Sequence, residues 1–310
     1  MKELTNLQTL NNKKLLTILP VNKVNEKFLS ELSYSLTDQE FKTDLLILSN
    51  LSDSDNELLK KSIENPKIIR TKADKDGKVV DDIQEMSTYP NYIIEKTTSE
   101  TFQKVFNESF NYAIKNDYEW FTVVEPDDFV YKNFYKYFDA FSNDTSLEFD
   151  GYMPLARDIS NAGFVSYFNE ATWVEGLAEV SGTFDLNLLL RYNCMNITGA
   201  IFKTESIKKV CDLDNKYDKT HVFSPIKESM KLNYSYEFFL RLIYNDLKFY
   251  TIPRLGYDRR TVLSLDDVNY FTTKMPPDII TKPSDKGGIT ADEYKFWNEL
   301  AKKEYFFEDD

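Results

Sequence analysis

Short apolar runs and amphipathic stretches alternate along the first half of the chain. Lys13 to Asn22 (KKLLTILPVN) carries an apolar run closed by Pro20, which predicts a buried strand ended by a residue that cannot donate to a ladder. Phe28, Leu29, Leu32 and Leu36 follow at spacings of one, three and four, predicting an amphipathic helix. Leu45 to Leu48 is a second buried strand, and the polar segment Ser49 to Asp55 is a loop able to N-cap a helix starting near Glu57. Ile68 and Ile69 predict a third short strand, and Lys72 to Gln84 is a charged loop or small hairpin. From Ser99 the spacing is helical again, with Phe102, Val105, Phe106, Phe110, Ala113 and Ile114 on one face. The apolar run Trp120 to Val124 is too short for a good helix and long enough for a buried strand.

Strands and helices in alternation predict an α/β fold, a mostly parallel sheet flanked by helices and joined by right-handed crossovers. The strand at Trp120 runs into Glu125-Pro126-Asp127-Asp128, three carboxylates within four residues. Open α/β sheets place their ligands at the carboxyl ends of buried strands. Hard oxygen ligands gathered on one short turn suit Mn²⁺ or Mg²⁺, a metal that commonly also holds substrate phosphates. The plainer alternative is an acidic turn in which Asp127 or Asp128 caps the next helix, whose apolar positions are Phe129, Phe134, Tyr137 and Phe138. Beyond Phe141 the pattern loosens. Asp150 to Leu155 and Ile197 to Lys203 predict strands, and Phe164 to Leu177 is aromatic-rich and loop-like. A helix is expected from Glu205 to Val210, a polar loop from Asp214 to Lys227, a helix from Tyr236 to Tyr244, and a strand from Phe249 to Ile252 closed by Pro253.

The tail supplies a C-terminal helical extension. Met275 to Gly288 is linker-like, and Thr290 to Glu293 forms a capping box that opens a last helix with Trp297, Leu300 and Ala301 on one face. That helix is expected to dock on the main body or on another subunit, giving a division into residues 1–260 and 261–310.

Composition narrows the function. At 310 residues and 42% hydrophobic, the chain can bury a large core. It has no apolar run of the roughly 18 residues that span a bilayer, and its first residues lack a secretory h-region. Cys194 and Cys211 form no CxxC pair and are expected as reduced core thiols of a cytoplasmic protein. A net charge of −13 argues against bulk nucleic-acid or anionic-membrane binding, and leaves a phosphate ligand in need of a metal or of local basic groups. The single histidine, His221, lies in a polar stretch, which disfavours multi-histidine zinc sites and a Ser-His-Asp triad. No GxGxxG follows the first strand and no P-loop occurs.

Over residues 13–260 the order of segments resembles the GT-A fold of nucleotide-sugar glycosyltransferases, especially the inverting family 2. Ile18-Leu19-Pro20-Val21-Asn22 resembles that family's opening strand, and Asp44 to Asp55 its second strand and nucleotide-binding loop. Asn107 to Ala113 resembles the helix before the metal motif, and Val123 to Asp128 stands where the DXD-type motif stands. Gly199 to Glu205 resembles the acceptor-side strand and turn, and Tyr236 to Ile243 followed by Tyr250 to Pro253 the helix and strand after the E-D motif.

The resemblance implies a nucleoside-diphosphate-sugar donor, an acceptor hydroxyl, and Mn²⁺ or Mg²⁺ neutralising the leaving diphosphate. It implies donor contacts from Pro20, Asn22, Ser49, Asn50, Asp53, Asn107 and Glu125, with Asp127 and Asp128 on the metal. The chain departs from the pattern at three places. Ser49-Asn50 replaces the carboxylate pair that binds base and ribose, Phe106 replaces an arginine, and Tyr234-Ser235 stands in the E-D slots. Neither Tyr234 nor Ser235 serves as a general base at neutral pH, so Glu237, three residues on and on nearly the same helix face, is the expected substitute. Glu237 reads equally as a helix-surface carboxylate. The alternative function is a GT-A scaffold without catalysis, acting as a binding or structural component of an assembly. The 20 Tyr and 23 Phe suit sugar stacking and protein interfaces alike.

Overall fold

A computed structural model of the chain describes residues 14–22, 26–73, 79–85, 91–99, 101–144, 148–160, 165–175, 178–191, 195–214, 223–228 and 234–261. The expected C-terminal helix, residue 221 and residue 194 lie outside these segments; Cys211 lies within them and is buried.

The sheet is organised around β1 (Leu15–Val21), buried along nearly its whole length. Parallel to it on one side run β2 (Asp44–Ser49) and then β5 (Tyr92–Lys96), and on the other β6 (Trp120–Val123). This block is the parallel α/β pattern read from the sequence, and its inner strands β1, β2 and β6 are buried because helices cover both faces. Beyond β6, β10 (Ile201–Lys203) joins antiparallel and β8 (Gly151–Ser160) pairs antiparallel with it. β11 (Phe249–Thr261) then runs parallel to β8, with β7 (Phe129–Val130) on the edge and β9 (Val165–Phe168) paired to β8. Among the described residues the main sheet is therefore mixed, nine-stranded, and ordered β5-β2-β1-β6-β10-β8-β11-β7 with β9 beside β8.

One face is packed by α1 (Glu26–Thr37), α2 (Asp53–Glu64) and α4 (Phe134–Ser142), which contribute Leu29, Leu32, Leu36, Leu59, Ile63 and Phe138 to the core. The other is packed by α3 (Phe102–Lys115), α5 (Leu186–Arg191), α6 (Thr204–Asp214) and α7 (Tyr234–Tyr244). There Phe106 lies edge-on to Phe121, Phe202 and Phe238 at 5.7, 5.8 and 5.5 Å, the geometry aromatic pairs prefer.

Several boundaries differ from the sequence expectation, each for a local reason. Pro20 lies inside β1, opposite Leu48. Its nitrogen faces the β6 side, where pairing ends at Ile18, so the missing N–H forfeits no ladder bond. Helix α2 begins at Asp53, four residues earlier than expected, because Ser52 caps it by accepting from the Asp55 N–H. Ile68 and Ile69 sit in β3 (Lys67–Ala73), which pairs with β4 (Val79–Glu85) as a separate hairpin. The third parallel strand of the main sheet is instead β5, whose half-buried edge gives only a weak apolar run. Phe129 belongs to β7, and the 3-10 turn Glu170–Trp173, β9 and α5 occupy stretches without a clear period.

The largest difference is at Pro253. β11 does not stop there; bulges between Ile252 and Leu255 and between Leu255 and Tyr257 absorb Pro253, Arg254 and Gly256 without ladder partners. The strand then continues beside β8 and brings Tyr257, Asp258, Arg259 and Arg260 up to the acidic turn.

Candidate functional site

β6 and β1 end side by side, with the Val124 N–H donating to the Ile18 carbonyl at 2.9 Å. The chain then turns through Glu125 to Asp128, closed by the Asp128 N–H donating to the Glu125 carbonyl at 3.1 Å. The far end of β11 locks this turn. Asp128 is fully buried and accepts from the Tyr257 hydroxyl at 2.5 Å and from the Arg260 N–H at 2.9 Å. The Arg260 guanidinium donates to the Asp127 carbonyl at 2.5 Å and to the Glu31 carboxylate at 2.7 Å, and lies 4.5 Å from the Phe28 ring centre. Gly199, at φ +76°, lies beneath Tyr257, where a Cβ would come within 2.6 Å of the ring. Tyr257 is thus clamped between β10 and the turn it holds.

The three carboxylates of the turn are unequal. Burial, reinforced by the charge of Glu125, pushes Asp128 well above the ordinary aspartate range. Burial also raises Asp127, opposed by its own backbone N–H and by the Arg260 charge. The Asp127 carboxylate has no side-chain hydrogen-bond partner among the described residues. Glu125 is pushed up to about 7, by burial first and the Asp127 charge second, against the attraction of Arg259.

An open cleft of about 100 Å³ lies at the carboxyl ends of β1, β2 and β5. Pro20 and Asn22 line it from β1, Asn50 from β2, Thr97 and Ser99 from the segment after β5, and Glu125 from the turn. This is where an open α/β sheet puts its ligand. Among the described residues, no lysine or arginine lines it and Glu125 is the only carboxylate that does.

The structure thus gathers Pro20, Asn22, Asn50 and Glu125 around one cleft, with Asp127 and Asp128 on the turn that carries Glu125. Ser49 is buried just below; its hydroxyl donates to Asn56 Oδ1 at 2.6 Å and accepts from the Leu51 N–H at 3.3 Å. Asp53 is exposed at the start of α2 and pairs with Lys96 at 2.7 Å. Asn107 has another task. Its amide donates to the Ile226 carbonyl and accepts from the Ile226 N–H, both at 2.9 Å, while Asn111 one turn on grips Phe223 in the same way at 2.6 and 2.9 Å. Two side-chain amides therefore strap residues 223–226 to α3 much as a neighbouring strand would.

Glu237, expected either as a base or as a surface carboxylate, is neither exposed nor free. It is fully buried, and accepts from Arg241 Nε at 2.9 Å and Nη2 at 3.2 Å and from Lys227 Nζ at 2.9 Å. Burial alone would raise its pKa, but Arg241 and Lys227 overcome that and hold the carboxyl below the usual glutamate range. A carboxylate so placed is a poor proton acceptor and cannot be reached by an acceptor hydroxyl. The expectation failed because helical spacing predicts a face and not what packs on it.

Sequence reasoning also missed the cations around the turn. Arg157 and Asp258 are register partners across β8 and β11, bonded at 2.6 and 2.8 Å, and Tyr131 accepts from Arg157 at 2.7 Å. The next pair reverses the charges: Arg259 meets Asp158 at 2.7 and 2.6 Å and reaches Asn196 at 3.2 Å. The signal was present as Arg-Asp at 157–158 and Asp-Arg-Arg at 258–260, hidden by taking Pro253 as a strand end.

No protein-family model matches the sequence, and no curated protein does either. Solved structures do. The chain is similar to S. aureus TarS at a TM-score of 0.51 and 16% identity, with 83% of this chain and 38% of that one covered. It is similar to residues 1–349 of TarS in complex with UDP-GlcNAc at 0.51 and 16%, covering 85% and 62%. For the same portion in complex with UDP the values are 0.50 and 17%, covering 83% and 63%. The chain therefore spans between 38% and 63% of the length of these proteins. At such identity the likeness bears on architecture alone, and what it establishes is a glycosyltransferase-like fold, a mixed α/β sheet flanked by helices.

Proposed function

We propose that the protein is a glycosyltransferase that moves a sugar from a nucleoside-diphosphate donor to an acceptor hydroxyl, assisted by a divalent cation and with inversion at the anomeric carbon. The observation that carries this reading is the open cleft at the carboxyl ends of β1, β2 and β5, with an acidic turn at its edge. It lies on a fold shared with TarS, a protein solved with UDP-GlcNAc and with UDP. Pro20, Asn22 and Asn50 would meet the nucleoside half of the donor from below.

The residues present fit a cation, with one restriction. Asp128 is consumed by Tyr257 and Arg260, and no cluster of three or more metal-ligating side chains occurs among the described residues. Mg²⁺ and Mn²⁺ need no such cage, since one or two carboxylates and the substrate's own phosphates suffice. Asp127, with Glu125 two residues before it, would hold the ion. When bound, the cation would supply positive charge beside the departing diphosphate, where the described residues of the cleft lining offer no lysine or arginine. Asp128 acts indirectly, fixing through Tyr257 the turn that carries Glu125 and Asp127.

The test is thermal unfolding with UDP-GlcNAc and other nucleoside-diphosphate sugars, each with and without Mn²⁺. A ligand that binds only the folded state raises the midpoint, by about 2.7 kcal/mol of stabilisation at a hundredfold excess over Kd. Asp127→Asn is expected to abolish the Mn²⁺-dependent part of the shift. A full shift in that variant rules out Asp127 as the ligand, and no shift for any donor rules out the donor site.

A second reading is favoured by one observation, the burial of Glu237 between two cations with Tyr234-Ser235 in the E-D slots. In that reading the cleft binds a nucleotide sugar but the protein transfers nothing. Saturable donor binding with no hydrolysis and no transfer to any hydroxyl acceptor would select it.

A further inference from the structure

Two helices reach back to the loops that line the cleft. Asn56 of α2 holds the loop after β2, accepting from the Ser49 hydroxyl at 2.6 Å and donating to the Leu51 carbonyl at 3.3 Å. Glu108 of α3 holds the segment after β5, and does so through a single oxygen. Its Oε2 accepts from the Thr97 hydroxyl at 2.5 Å and from the Ser99 hydroxyl at 3.1 Å. The Ser99 N–H closes the turn on Thr97 Oγ1 at 2.9 Å. Backbone bonds tie the three loops in a row: the Asn50 N–H donates to the Val21 carbonyl and the Thr97 N–H to the Ser49 carbonyl, both at 3.0 Å.

This arrangement fixes hydrogen-bond polarity as well as position. A carboxylate oxygen only accepts, and a hydroxyl has one proton to give. Thr97 and Ser99 both give theirs to Glu108. Thr97 is buried, and its oxygen already accepts from the Ser99 N–H. Ser99 is half-buried and lines the cleft, and no described residue donates to its hydroxyl oxygen. On this wall Ser99 therefore offers a ligand lone pairs and no proton. The wall stands at the end of the cleft away from the acidic turn. Neighbouring strands lie about 4.8 Å apart, so the order β5-β2-β1-β6 puts β5 roughly 14 Å from the strand that leads to Glu125. With the diphosphate at Glu125 and Asp127, the nucleoside is the part that extends toward Ser99.

We propose that Glu108 is a positioning residue that sets the specificity of the cleft. By holding the Ser99 hydroxyl as an acceptor, it selects a nucleoside that presents an N–H or O–H at that point, a uracil imide or a ribose hydroxyl, and rejects one that presents a lone pair. Glu108 acts through Ser99 and touches no ligand itself. The inference deepens the transferase reading and rests on it for the placement of the donor.

The experiment measures binding of UDP, CDP and 2′-deoxy-2′-fluoro-UDP in Mn²⁺ by calorimetry, for wild type, Glu108→Gln, Glu108→Ala and Ser99→Ala. CDP puts a lone pair where the uracil imide has its N–H, and the fluorinated nucleotide puts an acceptor where the ribose has its hydroxyl. A lone pair set against Ser99 is expected to weaken wild-type binding about tenfold relative to UDP. The loss appears with CDP if Ser99 reads the base and with the fluorinated nucleotide if it reads the ribose. Glu108→Gln should keep the preference, because its one carbonyl oxygen can take both hydroxyls as Oε2 does. Glu108→Ala should bring it close to unity, because the freed Ser99 hydroxyl can turn and donate. Ser99→Ala should do the same, and it carries the comparison if Glu108→Ala does not fold. Other effects of the exchanged groups are common to wild type and variants, so the change in the ratio is what is read. A role in folding alone would weaken all three nucleotides by one factor and leave the ratio as it was, and that result overturns the proposal. So does a wild type that binds all three equally. If wild type binds none of them, the proposal falls, and the transferase reading is decided separately by the purine nucleotide sugars in the unfolding test.

Discussion

Removing Glu237 separates a structural ion pair from a catalytic base. In Glu237→Ala, the guanidinium of Arg241, only 8% exposed, loses both of its carboxylate bonds. The guanidinium also donates to the Pro225 carbonyl at 2.5 Å. Lys227 is about half exposed and can rehydrate, so the cost falls on Arg241. Breaking one side of a buried pair costs about 3–5 kcal/mol, whereas replacing both partners by apolar groups is often close to neutral. At about 2–4 °C per kcal/mol for a chain of this size, Glu237→Ala should melt roughly 6–20 °C below wild type. The double variant Glu237→Leu with Arg241→Met should recover most of that loss.

The pH dependence has a definite sign. Glu237 is held below its ordinary value of 4.5, so its stabilisation is complete above that pH and is lost as pH falls through the folded-state value. Wild type and Glu237→Ala should therefore converge only on strong acidification. The assay is calorimetric or denaturant unfolding across pH. A Glu237→Ala protein within about 1 kcal/mol of wild type at neutral pH would refute the ion-pair account. So would normal stability and donor binding coupled to a complete loss of turnover, which would return Glu237 to the chemistry.

Two further outcomes follow from the same geometry. Asn107→Ala and Asn111→Ala each remove a pair of bonds to the strap at residues 223–226, costing on the order of 1–3 kcal/mol apiece, and the Phe223 and Ile226 amides should lose hydrogen-exchange protection first; unchanged protection would show that the strap is held by other contacts. Glu125, raised to about 7, contributes stability that is full below its ordinary 4.5 and lost as pH rises through about 7, so the metal-free protein should weaken between about pH 5 and pH 8. Glu125→Gln should flatten part of that slope, leaving the share due to Asp128, which is also raised; an identical slope in the variant would mean that Glu125 is already ionised at low pH.

Much of the first half was legible because its signals are local. The run from Leu15, the run from Leu45, and the spacings of Phe28 to Leu36 and Phe102 to Ala113 each specify an element within a dozen residues. Their alternation settles a parallel block, and with it the edge of the sheet where a ligand sits. Asn22, Asn50 and Glu125, singled out with Pro20 through the family resemblance and the acidic turn, stand just past strand ends, where apolar runs stop, and Pro20 is the last residue but one of β1.

What a side chain meets across the fold has no local signal. Asp128 and Asp127 are neighbours in an acidic turn, yet one is sealed by Tyr257 and Arg260, which lie 129 and 132 residues away, while the other carries no such lock. Helical periodicity placed Glu237 on a face but was blind to Lys227 and Arg241 closing over it. Pro253 signals a strand end on any local rule, and only the ladder to β8 shows the chain bulging past it. The sequence by itself determined the elements and the edge of the sheet, because hydrophobic period and turn chemistry act over a few residues. Which carboxylate is free, which is buried in a salt bridge, and which rings wall the cleft were decided by tertiary packing, because charge and solvation depend on neighbours that only the folded chain supplies.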